Sequence, residues 1–164
     1  VGSVSFHASR PERIEVSTRT IDRILVATDG SDSSQHAVAL GVELAAAEGA
    51  EVTFLHVLPP IDFLGGRASL PAVPRRLQSV GDEPLDDAAL IADRRGVRFE
   101  RDLVAGYVAD TIVDWADAVE ADLVVVGERP RRRWVGTTVA RWVARNSDRP
   151  VLVARPRAKE RVAA

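Results

Sequence analysis

The residues best suited to chemistry in this chain stand at the ends of two apolar runs. Leu123-Val124-Val125-Val126 ends in Gly127, and beyond Arg129, Pro130 and Arg131-Arg132-Arg133 comes Gly136-Thr137-Thr138. A strand, a glycine and a hydroxyl-bearing helix start together make a phosphate site, because unpaired helix N–H groups and glycine backbone approach an anion closely. The other end is Asp29-Gly30-Ser31-Asp32, directly after the run Ile24 to Thr28. Asp29 is suited to accept hydrogen bonds from an adenine amino group or a ribose hydroxyl. Thr137 is suited to offer its hydroxyl and N–H to phosphate. Helix capping by Asp29, Asp32 and Thr137 explains each residue singly. Their joint placement at two strand ends favours a site.

The hydropathy pattern supplies elements to hold them. Ile24 to Thr28 is a continuous apolar run, the sign of a strand buried on both faces of a parallel sheet. Asp32 followed by Gln35 has the form of a helix N-cap box. Val38, Val42 and Ala45 then recur at helical spacing, and Gly49 is a natural stop. Val52 to Leu58 reads as a second strand, closed by Pro59-Pro60. Residues 59–84 are rich in Pro and Gly without a strong period, and a connection of that length reads as a functional lid or mobile insert. A helix is expected from about Pro84 to Arg95, ended by Gly96. Val97 to Val104 is a more polar strand suited to a sheet edge. The next helix, from Gly106, carries Val108, Ile112, Trp115 and Val119 on one stripe, which makes Trp115 a core residue. Leu123 to Val126 is the fourth strand, Val139, Trp142 and Val143 mark the last helix, and Val151 to Ala154 is the fifth strand.

Strands alternating with helices imply a doubly wound α/β sheet with right-handed crossovers. In such sheets ligands sit at the carboxyl ends of strands, where the strand order switches. With the first and fourth strands as neighbours, the crevice between them has Asp29 on one side and Gly136-Thr137 on the other.

Composition narrows the function classes. The 164 residues suit one domain with a real core, and 46% hydrophobic with 28% charged residues is ordinary for a globular chain. The absence of Cys excludes disulfides and Cys-based metal sites. His7, His36 and His56 have no metal-motif spacing, so no metal is expected. No apolar run approaches the ~18 residues of a membrane span, and the N-terminus shows no signal-peptide core. The expectation is a cytoplasmic protein with no membrane partner: a polar tail over 1–20, a folded unit over 21–156 and a second tail over 157–164. Net charge is −2 but uneven, since residues 128–164 hold ten Arg and Lys159 against Glu128, Asp148 and Glu160. Such a basic third faces phosphates, nucleic acid or an acidic partner, or is a solvated face with a frayed end. Nucleic acid is the weakest of these, because only Trp134 and Trp142 interleave with the arginines as a stacking platform would.

The string RILVATDGSDSSQHAVALGVELA, from Arg23 to Ala45, resembles the opening of the universal stress protein family. Asp122 to Pro156, beginning DLVVVGERP, resembles its close, and Gly96 to Leu123 fits the third strand, the following helix and its lead-in. The resemblance covers about residues 22–156 in the family's order and is weak only over 59–84. It implies an open five-stranded parallel sheet of order 3-2-1-4-5 with helices on both faces, the Rossmann-like arrangement of adenine nucleotide alpha hydrolases. It also implies a homodimer, here through the fifth strand, Val151 to Ala154, and a part in stress survival. One branch of the family binds ATP and another does not. This chain is similar to the ATP-binding branch at Asp29, at the second strand's end near Val57, and at Gly127, Gly136 and Thr137.

The departure from that branch is the loop. Its pattern is Gly, two residues, Gly, nine residues, then Gly with Ser or Thr. Here Pro130 replaces the second glycine, fixing φ and removing an N–H, and only Arg131 to Val135 precede Gly136. Two outcomes are physically open. In one, Arg129 and Arg131 to Arg133 bind phosphate through bidentate guanidinium groups where glycine backbone no longer can. In the other, nucleotide binding is lost and the basic turn docks a protein partner. The leading expectation is a dimeric regulatory protein holding ATP or another adenine nucleotide; the alternative is a nucleotide-free interaction module. There is no convincing nucleophile–base pair and no Walker lysine, so an enzyme is not expected, although slow ATP hydrolysis is compatible with the pattern.

Overall fold

The computed structural model describes residues 20–60, 75–128 and 138–155, with only the backbone of 75–81. Nine elements follow in order: β1 (Arg23–Ala27), α1 (Asp32–Glu48), β2 (Glu51–Leu58), α2 (Arg75–Arg95), β3 (Phe99–Ala105), α3 (Val108–Ala118), β4 (Leu123–Gly127), α4 (Val139–Asn146) and β5 (Val151–Ala154). The strands form one parallel sheet of order β3-β2-β1-β4-β5, which is the expected order.

Residue alternation along the strands sends side chains to the two faces. Ile24, Val26, Val52, Phe54 and Val125 pack under α1 and α2 with Val38, Val42, Leu85 and Ala92. Leu25, Leu55, Val124 and Val126 pack on the other face under α3 and α4, against Ile112, Ala116, Ala140 and Val143. Both faces of β1 and β4 are thus covered, which is why these strands read as unbroken apolar runs. Each fully buried Leu, Ile, Val or Phe contributes about 1.5–3 kcal/mol.

Helix α1 closes as its sequence predicts, with Gly49 in the left-handed region at φ 76 and its N–H bonded to the Ala45 carbonyl. Gly41 lets α1 lie close on β1, since a Cβ there would stand 2.5 Å from Val26 Cγ2. Helix α2 departs from expectation. It begins at Arg75 rather than Pro84, so Pro84 lies inside it. A proline removes one i→i−4 bond without dictating where a helix starts, and Gly81 with Pro84 hid the preceding turns. The tails expected over 1–20 and 157–164 fall, but for Thr20, outside the described residues, as do 61–74 of the insert expected over 59–84, while its residues 75–84 are the first part of α2.

At the amino ends of the strands, the Asp122 carboxylate accepts hydrogen bonds from the N–H groups of Asp22 (3.0 Å) and Arg23 (3.1 Å), tying β1 to β4. Arg23 also pairs with Glu120 at 2.7 Å, and that hydrogen bond raises the guanidinium pKa above its ordinary value. The sheet edges differ. β3 carries Glu100, Arg101 and Asp102, with Arg101 ion-paired to Asp86 of α2; β5 offers the half-buried Val151, Leu152 and Val153.

Candidate functional site

β1 and β4 are neighbours, paired at Val26 and Val125. From their carboxyl ends the chain departs to opposite faces, into α1 on one side and toward α4 on the other. Departure in opposite directions leaves a cleft, because neither connection can cover the strand ends. Its volume is about 400 Å³.

One wall is the start of α1. Ser31, not Asp32, is the N-cap: its Oγ accepts the Ser34 N–H at 3.4 Å. The expected Asp32–Gln35 box is therefore displaced by one residue, and Gln35 instead donates its side-chain amide to the Gly30 carbonyl. A hydroxyl was available one position earlier, and serine caps as well as aspartate does. Asp29 Oδ1 accepts from Ser31 Oγ at 2.5 Å and from the Ser31 N–H at 3.1 Å. Ser34 Oγ accepts the Asp29 N–H (3.3 Å) and donates to the Ser31 carbonyl (2.9 Å). Thr28 Oγ1 donates toward Ser34 Oγ and accepts the Gly30 N–H, both at 3.4 Å. Gly30, at φ 75, makes the reversal that these bonds need. Thr28, Ser33 and Ser34 are buried, and all line the cleft with Asp29.

The floor and far side are apolar. Leu55, Val57 and Pro59 at the end of β2 meet Val108 and Ile112 of α3, with His56 beside them. Val57 is in the expected place, and its apolar side chain suits the flat face of a base.

The opposite wall is the end of β4 and the start of α4. A Cβ on Gly127 would lie 2.3 Å from the Ser33 carbonyl oxygen and 2.8 Å from the Ser34 nitrogen, so only glycine fits where β4 meets the first turn of α1. Glu128 follows. Its side chain is only 10% exposed, yet it lines the cleft and pairs with Arg155 Nε at 2.5 Å and Arg141 Nε at 3.8 Å. Helix α4 is capped by Thr138, whose hydroxyl accepts the Arg141 N–H at 3.3 Å. Thr138, Val139 and Ala140 line the cleft at the N-terminal end of the helix.

The structure thus brings together Asp29, Val57 and Gly127 of the expected site. Arg129, Gly136 and Thr137 lie outside the described residues, as do Arg131 to Arg133. The cap of the last helix falls on Thr138, one residue beyond the threonine expected to serve there. Sequence reasoning missed the serines of α1 as part of the wall, and it missed Glu128. The serine signal was available, since four hydroxyl residues surround Asp29 within one turn. Glu128 had no signal, because its partners are distant in sequence. Trp115, expected in the core, is half-buried: it packs against the core beneath α3 and α4, with its indole N–H bonded to Asp102 at 2.8 Å.

Comparison with known proteins agrees with this architecture. Residues 20–155 match the model of the universal stress protein family. A universal stress protein of Methanocaldococcus jannaschii is 31% identical over 143 residues, covering 84% of each chain. Among solved structures, a universal stress protein in complex with cAMP superposes with TM-score 0.65 at 29% identity, covering 83% of this chain and 98% of that one. The universal stress protein of Archaeoglobus fulgidus in complex with dAMP gives TM-score 0.65 at 27% identity, covering 83% and 99%. By its sequence match and its sheet order alike, the chain belongs to the universal stress protein family.

Proposed function

We propose that this protein binds an adenine nucleotide in the cleft between β1, β2 and β4 and acts as a regulatory dimer in a stress response. The observation that carries the reading is the cleft itself, with a carboxylate, an apolar floor and a helix N-terminus around a volume of about 400 Å³. Asp29 would accept from the base or the ribose, Val57 would pack on the base, and the Thr138 end of α4 would face the phosphates. Relatives at 29% and 27% identity that were solved with cAMP and dAMP support adenine over other bases. ATP is one candidate among these nucleotides.

Dimerisation would run through β5, whose apolar outer edge contrasts with the charged edge at β3. An edge strand of that kind is a template for a second copy. The protein is read as regulatory rather than catalytic. ATP turnover that Asp29→Ala abolishes would overturn that part. No helix among the described residues is long and apolar enough to cross a membrane, in keeping with the cytoplasmic location we propose.

Thermal melts with ATP, AMP and cyclic AMP test the central claim. A ligand at 100 times its Kd adds about 2.7 kcal/mol of stability, so at least one of the three should raise the Tm. If none does so at millimolar concentration, the nucleotide reading fails. The protein is then an interaction module working through β5 and its basic C-terminal third.

A further inference from the structure

Arg141 and Arg155, which pair with the cleft residue Glu128, would by themselves favour the most highly charged nucleotide. Glu128 works against that. It stands at the end of β4 and lines the same cleft as Thr138, Val139 and Ala140 at the start of α4. Two facts set it apart from a surface acid. Its side chain is nine-tenths buried, while its partners Arg155 and Arg141 are 71% and 54% exposed. Two guanidinium groups thus share one carboxylate, Arg155 at 2.5 Å and Arg141 more loosely at 3.8 Å.

We propose that Glu128 is a charge selector for the nucleotide, resting on the proposed occupancy of this cleft. With Arg141 and Arg155 it forms an ionic latch across β4, α4 and β5. A phosphate chain entering beneath α4 meets a buried negative charge, and it gains the two arginines only by taking them from Glu128. Removing the partners from a buried carboxylate is costly, and the cost rises with each negative charge brought close to it. A ligand with little charge pays none of this. The latch thus disfavours di- and triphosphates relative to adenosine and its monophosphate.

The test is calorimetric titration of adenosine, AMP, ADP and ATP into the full chain and two variants. In Glu128→Gln, which keeps the side chain's shape, ATP should bind about tenfold more tightly. ADP and AMP should gain progressively less, and adenosine should change by less than about twofold. Arg155→Gln, at an exposed position, should act with the opposite sign, loosening ATP about tenfold by leaving Glu128 less compensated. A uniform change across the four ligands, or no gain for ATP in Glu128→Gln, overturns the selector and leaves nucleotide binding standing. Failure of all four ligands to bind any of the three proteins overturns both readings. Should Glu128→Gln fail to fold, Glu128→Ala takes its place and must show the same gain rising with ligand charge.

Discussion

The two walls of the cleft are built by opposite means. On the β1 side, Thr28 to Ser34 wire their own hydroxyls, carboxylate and N–H groups into one network in which, among the described residues, no bond between these groups spans more than six residues of sequence. Apart from the Thr138 cap of α4, the contacts on the β4 side are not local. Gly127 rests on the backbone of Ser33, and Glu128 reaches Arg141 and Arg155. The first wall is a preformed polar surface whose groups are already oriented by one another. The second is a junction of three elements whose geometry depends on the whole sheet. A ligand bridging the walls would meet a rigid acceptor on one side and an ionic latch on the other.

Substitutions can break this contrast, and the largest effect is expected at the junction. Gly127→Ala forces a methyl onto the Ser33 carbonyl, and overpacking against backbone should cost about 3 kcal/mol. Urea denaturation would measure it; a variant within about 0.5 kcal/mol of wild type would mean the two elements part freely. Next comes Asp29→Ala, which removes the charged acceptor from the local wall. Nucleotide affinity should fall about thirtyfold, on the order of 2 kcal/mol, as read by calorimetry. Unchanged affinity would show that the preformed wall plays no part in binding.

Ser31→Ala deletes the α1 cap and should lower stability by about 1 kcal/mol. Because its hydroxyl also holds Asp29, nucleotide affinity should fall with it. Thr138→Ala removes the corresponding cap of α4 at a similar cost, and the ratio of the two effects on binding ranks the walls directly. The smallest change is expected for Trp142→Phe, which loses only the exposed bond from the indole N–H to Asp110. That bond should contribute about 0.5 kcal/mol, and the variant should bind nucleotide as wild type does.

Legibility from sequence follows the same division. The central strands were visible because burial on both faces compels apolar runs such as Leu123 to Val126, β3 was visible as a more polar edge, and Gly49 announced the end of α1. Asp29 was legible because Ser31, two residues on, is among its partners. The shift of the cap from Asp32 to Ser31 was not, since both residues cap well and only backbone geometry decides between them. Helix α2 was foreshortened by reading Pro84 as its start. Glu128 was invisible as a site residue because a buried charge is recognised by partners brought together only by folding.

The contact beneath Gly127 changes how motif matches in this family should be weighed. A glycine after the fourth strand is scored as part of a nucleotide fingerprint, yet here the backbone of Ser33 forbids any other residue whether or not a ligand is ever present. A chain that had lost its nucleotide would still be compelled to keep this glycine for as long as it kept its fold. Counting it as evidence for binding mistakes a requirement of assembly for one of chemistry. The positions free to vary without unfolding the sheet, Asp29 foremost, are where a lost ligand would first leave its mark.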